Sequence, residues 1–245
     1  MVLRRLLSGL LFARRDLPSR DSTPPAAPPA GSPVTLRYRP DVFDVTDEDS
    51  ARRIILTPEG GESTRSRWER ETPCVTRLAL QELGIGPDSL VVDYGCGIGR
   101  IARELIASTG CRVIGVDISA SMRRLAQSYV QSPRFEAIDP ATLDARAAAG
   151  MRAEAAIACW VLQHCMDPGV DAGRLFEALR PGGRLLVVNN LRRAVPADRG
   201  WVDDGLDVAA LLDARFRRIR RGTLDPEAAG PDVTQHSFVG IYERP

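Results

Sequence analysis

Acidic residues and glycines follow two apolar segments in a pattern typical of nucleoside-binding sites. Asp93 comes directly after a short apolar run, and three glycines then stand at alternate positions: Gly95, Gly97 and Gly99. Glycine accepts positive φ and lets the backbone approach a ligand closely, and the free N–H groups of a following helix would face that ligand. A second apolar run, residues 113–116, ends in Asp117. This acid lies about 20 residues past the first glycine, the spacing at which a carboxylate reaches ribose hydroxyls.

The elements that must position these residues follow from the hydrophobic pattern. Residues 91–100 predict a strand, a tight glycine loop and the start of a helix that continues through 101–107. Further strands are predicted at 113–116, 134–138, 155–160, 184–190, 216–221 and 236–242, with helices between them. Alternating strands and helices indicate an open, mainly parallel sheet covered on both faces. Ligands bind at the carboxyl ends of such strands, so the acidic residues should meet at one edge.

Four segments, in this order, resemble the class I S-adenosylmethionine-dependent methyltransferases. They are 91–100 (VVDYGCGIGR), 115–119 (GVDIS), 157–165 (IACWVLQHC) and 179–188 (LRPGGRLLVV). The G-x-G-x-G spacing also differs from the dinucleotide-binding G-x-G-x-x-G. The resemblance covers residues 75–190. It implies an α/β, Rossmann-like, doubly wound fold, whose mainly parallel seven-stranded sheet has an antiparallel last strand, and S-adenosyl-L-methionine as cofactor.

The resemblance also implies roles for individual residues. Asp93 and the glycine loop, which includes Cys96, would hold the methionine and ribose end of the cofactor, and Asp117 would accept both ribose hydroxyls. Ile118 would pack on the adenine, and Asp139 would accept from the adenine amino group, unless it only starts a turn before Pro140. Cys159 and Trp160 would face the methionine moiety and the methyl acceptor.

Helices before the first strand often cover the cofactor in this family, so residues 37–84 are expected to form a helical cap on the catalytic domain, 85–245. Thr46 is the predicted N-cap of a helix at 51–56. Residues 62–84 predict one or two helices, with a fresh start at Thr72-Pro73. Within this segment, Trp68 and Glu71 are candidate capping residues over the cofactor, the alternatives being plain packing and a solvated face.

The first 36 residues differ in composition from the rest. Residues 1–15 carry leucines at helical spacing flanked by arginines, which predicts a basic amphipathic helix. Such a helix favours weak, peripheral contact with an anionic membrane surface; a frayed terminus and a helix docked on its own domain are the alternatives. Residues 16–36 are rich in Pro, Ala and Ser and predict a disordered linker.

Composition excludes some chemistry. All 33 basic residues are Arg, so no lysine base or Schiff base is available. The net charge of +1 gives no general attraction to nucleic acid, and the basic run 215–221 lacks interleaved aromatic residues, so we expect a solvated edge there. The five cysteines form no C-x-x-C pair, which favours reduced thiols in a cytoplasmic protein over a metal site.

His164 and Asp167 are the catalytic candidates, because both follow the fourth strand at the expected edge; for His164 a structural role is the alternative. The segment after this strand is Cys-Trp-Val-Leu rather than Asn/Asp-Pro-Pro-Tyr, which disfavours amino methylation of nucleobases or glutamine. We therefore expect methyl transfer to oxygen of a small molecule or of a glycan or envelope precursor. The rival interpretations are a nicotinamide-dependent oxidoreductase and a non-catalytic, cofactor-binding partner subunit.

Overall fold

The computed structural model describes residues 37–245, which form one open α/β sheet with helices on both faces. In this part of the chain the strands are β1 (Leu90–Tyr94), β2 (Arg112–Val116), β3 (Phe135–Ile138), β4 (Ala153–Cys159), β5 (Leu179–Asn190), β6 (Val195–Ala197), β7 (Gly200–Val202), β8 (Arg217–Gly222) and β9 (Ser237–Glu243). Seven of them form a sheet in the order β3-β2-β1-β4-β5-β9-β8. Strand β9 runs antiparallel to both of its neighbours, β5 and β8. The predicted fold class is confirmed.

The helices occupy the connections between strands and the segment before β1. They are α1 (Glu48–Ile55), α2 (Thr64–Glu82), α3 (Arg100–Thr109), α4 (Ala120–Val130), α5 (Pro140–Ala148), α6 (Pro168–Ala178), α7 (Val208–Arg215), α8 (Pro226–Ala229) and α9 (Pro231–His236). A 3-10 turn, Pro40–Phe43, precedes α1. Among residues 37–245, none of the helices is long and apolar enough to cross a bilayer.

Strands β1 to β5 and β9 contribute side chains to two separate cores, one on each face, which is the period-2 pattern of a sheet buried on both faces. Val91 packs with α2 and α3 on one face, whereas Val92 packs with α5 and α6 on the other. The predicted catalytic domain begins at residue 85, yet Val75 and Leu78 of α2 belong to the first of these cores. The helix of the predicted cap is therefore packed into the same hydrophobic core as the sheet.

Three local predictions were wrong. Asp47, not Thr46, caps α1. The Asp47 carboxylate accepts a hydrogen bond from Ser50 N, and Ser50 Oγ accepts one from Asp47 N. Residues 62–84 contain one helix, which was one of the two alternatives, but α2 runs through Pro73 without the predicted fresh start at Thr72-Pro73. A proline inside a helix costs about 3 kcal/mol, and the apolar face of α2, buried on both sides of Pro73, offsets that cost. His236 ends α9 rather than opening the last strand.

The short strands β6 and β7 form a hairpin that the sequence analysis did not predict. Residues 37–39 lie along it: Tyr38 forms an antiparallel bridge with Ala197, and Arg39 N donates to Pro196 O at 3.0 Å. We call residues 37–43 the strap and residues 195–202 the hairpin. The predicted helix at 1–15 and the linker at 16–36 lie outside the described residues.

Candidate active site

The glycine loop folds back over the end of β2. Both Gly95 N and Cys96 N donate to Val116 O, at 2.7 and 3.0 Å. Gly95 has φ of 72°, the left-handed region that favours glycine. A Cβ at this position would also lie 2.5 Å from Val161 Cβ. The loop therefore needs glycine here for its conformation and for the close approach of the segment after β4.

Asp117, at the end of β2, closes this loop from the other side. Its carboxylate accepts from Gly97 N at 2.8 Å and from Ser119 N at 2.9 Å. Burial raises the pKa of this carboxyl, and the two backbone donors act in the opposite direction. Each carboxylate oxygen retains a lone pair for a further donor, because a carboxylate offers about four acceptor positions.

Asp93 lies under the loop at the end of β1. Its side chain is buried, and its Oδ2 has no hydrogen-bond partner within the described residues. Desolvation raises the pKa of Asp93 to about 7, although the nearby Arg100 guanidinium lowers it. A buried acceptor without a partner is costly, so this oxygen is suited to a donor group brought by a ligand.

The end of β4 is tied to α2. Trp160 has φ of 58°, a strained value for a residue with a side chain, and its indole N–H donates to Glu71 Oε2 at 3.2 Å. Glu71 is fully buried and pairs with Arg67, whose Nε lies 2.6 Å from Glu71 Oε1. Neighbouring Cys159 is enclosed enough for burial to raise its thiol pKa to about 12.

His164 is held by backbone and by aromatic rings. Its Nδ1 lies 2.7 Å from Ala194 O, and its Nε2 lies 3.3 Å from Gln163 Nε2. The imidazole contacts Phe43 of the strap and Trp201 of the hairpin, with ring centroids 5.8 and 5.3 Å away. Burial lowers the pKa of His164. The imidazole is therefore neutral at physiological pH.

One cavity of about 610 Å³ joins the glycine loop to these aromatic residues. Seven of the predicted site residues line it: Gly95, Asp117, Ile118, Cys159, Trp160, His164 and Asp167. The volume falls within the roughly 300–1,000 Å³ of small-molecule sites. Residues of the glycine loop and residues of the strap and hairpin thus line the same cavity.

Comparison with known proteins agrees with this geometry. Residues 91–183 match the family model of the methyltransferase domain. Residues 91–183 are therefore a methyltransferase domain. The predicted family is thereby confirmed, and so is the cofactor class that goes with it.

Relatives of this methyltransferase domain differ in their acceptors. N-demethylindolmycin N-methyltransferase of Streptomyces griseus is 33% identical over 51% of this chain and 54% of its own length. Ubiquinone biosynthesis O-methyltransferase of Methylobacterium sp. (strain 4-46) is 32% identical over 40% of this chain and 41% of its own. The chain thus spans about half the length of the curated relatives it matches.

A solved structure extends the likeness beyond the matched segment. Geranyl diphosphate methyltransferase in complex with S-adenosylmethionine superposes with a TM-score of 0.58, over 85% of this chain and 96% of its own, at 16% identity. A likeness at that identity shows the fold alone.

Five predicted residues of the methyltransferase domain do not line the cavity: Asp93, Cys96, Gly97, Gly99 and Asp139. Cys96 directs its thiol at the sheet, since a Cβ on Gly115 would lie 2.8 Å from Cys96 Sγ. Gly99, with φ of 81°, is the N-cap residue that precedes α3. Any contact of Cys96 or Gly97 with a cofactor would use the backbone, and these roles stay predictions.

Two acidic candidates cap helices. Asp139 accepts from Thr142 N at 2.8 Å at the start of α5, a bond that lowers the pKa of its carboxyl. Asp167 accepts from the N–H groups of Gly169 and Val170 at the start of α6. Both bonds are ordinary N-caps, the alternative raised above for Asp139. The adenine contact of Asp139 and the catalytic role of Asp167 stay predictions.

The sequence analysis missed the aromatic residues of the cavity. Tyr38 and Phe43 lie in the strap, and Trp201 lies in the hairpin. The turn Asp198-Arg199-Gly200 between apolar residues was a usable hairpin signal. Trp68 and Glu71, the candidate capping residues, are buried and do not line the cavity: Trp68 packs against Met122 and Tyr129, and Glu71 holds Trp160.

Proposed function

We propose that this protein is an S-adenosylmethionine-dependent methyltransferase that methylates an oxygen atom of a small molecule. One observation carries the proposal: Asp117 and Gly95, on the cofactor side, and His164, on the acceptor side, line the same cavity. A methyl donor and an acceptor bound in one enclosed space gain the positional advantage on which methyl transfer depends.

The residues present fit the cofactor. Asp93 lies beneath the glycine loop and does not line the cavity itself. Its Oδ2 is a buried acceptor without a partner in the described part of the chain, so it is suited to a donor such as the ammonium group of a ligand. Asp117 presents a carboxylate to the cavity for hydroxyl donors. Ile118 is half exposed beside it and offers an apolar surface to a planar base. When bound, the cofactor supplies an activated methyl group on a sulfonium.

The chain's own task is to orient the acceptor, exclude water and hold a proton. His164 Nδ1 donates to Ala194 O, so the neutral ring leaves its Nε2 as a base. A hydroxyl must lose a proton on methylation, and Nε2 of the neutral imidazole is suited to receive it once the acceptor displaces the 3.3 Å hydrogen bond from the Gln163 amide nitrogen. This supports an oxygen acceptor. The relatives include both O- and N-methyltransferases, which is compatible with either atom.

The rim of the cavity supports a small molecule with apolar surface rather than a glycan. Large apolar side chains are exposed there: Ile54, Ile118, Met166, Val170 and Trp201. Exposed apolar groups gathered at one opening mark a binding surface for an apolar ligand. A sugar chain would leave most of this surface without a matching partner.

The test uses the full chain with methyl-labelled S-adenosylmethionine and a fractionated small-molecule extract. We expect labelled product to be extractable into organic solvent, and we expect the transfer rate to fall as the pH is lowered and His164 takes up a proton. His164→Asn keeps a donor for Ala194 O and removes Nε2, so transfer should fall at least about 100-fold with unchanged S-adenosylhomocysteine affinity. Cofactor binding without transfer to any fraction would favour the non-catalytic subunit. Tighter binding of NAD than of S-adenosylhomocysteine would favour the oxidoreductase.

A further inference from the structure

The acceptor end of the cavity is built from two segments far apart in the chain. The strap and the hairpin are joined by the Tyr38–Ala197 bridge and by Asp198 N donating to Arg37 O at 3.0 Å. Tyr38 also reaches His164, donating from its hydroxyl to the backbone oxygen of that residue at 3.4 Å. Burial raises the pKa of Tyr38 to about 12, so the hydroxyl stays protonated. The aromatic side chains are thus held in place by backbone pairing.

Three rings form one aromatic cluster at this end: Phe43, His164 and Trp201. Their centroids lie 5.3–6.1 Å apart with interplanar angles of 56–59°. Each ring lines the cavity, and Trp201 remains 55% exposed. Tilted rings at such separations offer faces and edges to a further aromatic ring, which prefers offset or edge-to-face contacts.

A side-chain oxygen next to this cluster has no hydrogen-bond partner in the described residues. The hydrogen bonds around His164 show which oxygen it is. Ala194 O can only accept, so His164 Nδ1 carries the hydrogen. The lowered pKa keeps the ring neutral, which leaves Nε2 as an acceptor. Gln163 must therefore donate to Nε2 with its amide nitrogen. Gln163 Oε1 is left without a hydrogen-bond partner in the described residues, in a side chain that is 2% exposed and lines the cavity.

We propose that the acceptor is a planar aromatic molecule bearing a hydroxyl or N–H group, with its ring against Trp201, Phe43 and His164 and its donor hydrogen on Gln163 Oε1. This inference rests on the proposed function and names its substrate class. The donor requirement follows because a buried acceptor left unpaired is penalised. The requirement for planarity follows because the three rings of the cluster line this end of the cavity, and a flat aromatic ring can make offset or edge-to-face contacts with them.

Three probes that share a fused two-ring skeleton separate the two requirements. They are 2-naphthol, its methyl ether 2-methoxynaphthalene, which lacks the donor, and decahydro-2-naphthol, which lacks the planar ring. Affinities are measured by calorimetry on the full chain, with and without S-adenosylhomocysteine. We expect 2-naphthol to bind at least about tenfold more tightly than either analogue, since a site built around a hydrogen bond rejects analogues that lack it.

Variants assign the two preferences to their residues. Trp201→Ala should remove the preference for 2-naphthol over decahydro-2-naphthol and keep that over the ether. Gln163→Met, close in shape and apolar, should remove the preference over the ether and keep that over the saturated ring. Leu206→Ala is the control, since Leu206 is an exposed apolar residue that does not line the cavity. Melting temperatures check that each variant is folded.

Several results would overturn the inference. These are equal affinity for all three probes, no binding of 2-naphthol, or a Gln163→Met protein that still rejects the ether tenfold. Failure of the proposed function gives a different pattern, because S-adenosylhomocysteine would then not bind, or no labelled methyl would be transferred, while the ranking of the three probes could still hold.

Discussion

The indole N–H of Trp160 is bonded to the carboxylate of Glu71, which joins the carboxyl end of β4 to the helix that precedes the sheet. Trp160 has a strained backbone and lines the cavity, whereas Glu71 is fully buried behind it. Arg67 neutralises Glu71 and also donates to Thr57 O at 2.7 Å. This arrangement makes the shape of the cavity depend on a buried ion pair in α2.

The first prediction compares two ion pairs of equal spacing on α2. Arg67–Glu71 is buried, whereas Arg65–Glu69 is solvent-exposed. Glu71→Ala removes the buried partner of Arg67 and leaves only the half-exposed carboxylate of Glu59, 3.3 Å from Arg67 Nη1, so the free energy of unfolding should fall by about 3–5 kcal/mol. Glu69→Ala should cost about 0.5 kcal/mol or less. Urea unfolding measures both. Losses of similar size would show that burial of the Arg67–Glu71 pair is not what matters.

The second prediction concerns Asp117. Asp117→Asn removes the charge that strengthens hydrogen bonds from ribose hydroxyls, so S-adenosylhomocysteine should bind about 10–100-fold more weakly in calorimetry. Asp139→Asn is the matched control, because Asn caps a helix as well as Asp does and keeps an acceptor oxygen. We expect it to change affinity by about threefold at most. Near-normal binding by a folded Asp117→Asn protein would remove Asp117 from the cofactor site.

The third prediction follows from the buried carboxyl of Asp93. The pKa of Asp93 is about 7 in the folded protein, against the ordinary value of 3.8 for an aspartate side chain. The folded state therefore holds a proton between these values that the unfolded state has lost, and the free energy of unfolding should fall as pH rises from about 4 to about 7. Asp93→Asn should remove this dependence and make the protein more stable than the wild type at pH 8, by roughly 4 kcal/mol at most.

Cofactor binding should favour the ionised form of Asp93, whereas folding favours the protonated form. An ammonium group favours the ionised carboxylate, so the affinity of the wild type for S-adenosylhomocysteine should decline as pH falls through about 7. In Asp93→Asn the affinity should be low and independent of pH in this range. A variant that is both more stable at pH 8 and unimpaired in binding would show that Asp93 serves no ligand.

The fourth prediction separates backbone strain from crowding. Gly95 and Gly110 both have positive φ, but only a Cβ on Gly95 would meet another residue, Val161. Gly110→Ala should cost about 1–2 kcal/mol from the left-handed conformation alone. Gly95→Ala should cost about 1–3 kcal/mol more, as overpacked sites do, and should abolish cofactor binding. Equal losses of thermal stability would mean that Val161 moves aside freely.

The sheet and the glycine loop could be predicted because both leave a periodic or compositional record. Apolar runs such as residues 113–116 end in Asp117, and strand, loop and acid follow one another locally in the chain. The functions of Asp139 and Asp167 could not be read in the same way, because helix caps and ligand contacts draw on the same residue type. The aromatic cluster was missed since Phe43 lies more than 100 residues from both His164 and Trp201, and no local pattern records that pairing.

The pairing of the strap with the hairpin has a consequence for how such enzymes diversify. The segment that matches the family model, residues 91–183, contains the glycine loop and Asp117 but neither the strap nor the hairpin. Selection on the acceptor could therefore act on two short peripheral sequences while the donor half is inherited unchanged. Because Tyr38 and Ala197 are bridged, those two sequences should be exchanged between homologous enzymes together, as one cassette, for a chimera to adopt a new acceptor.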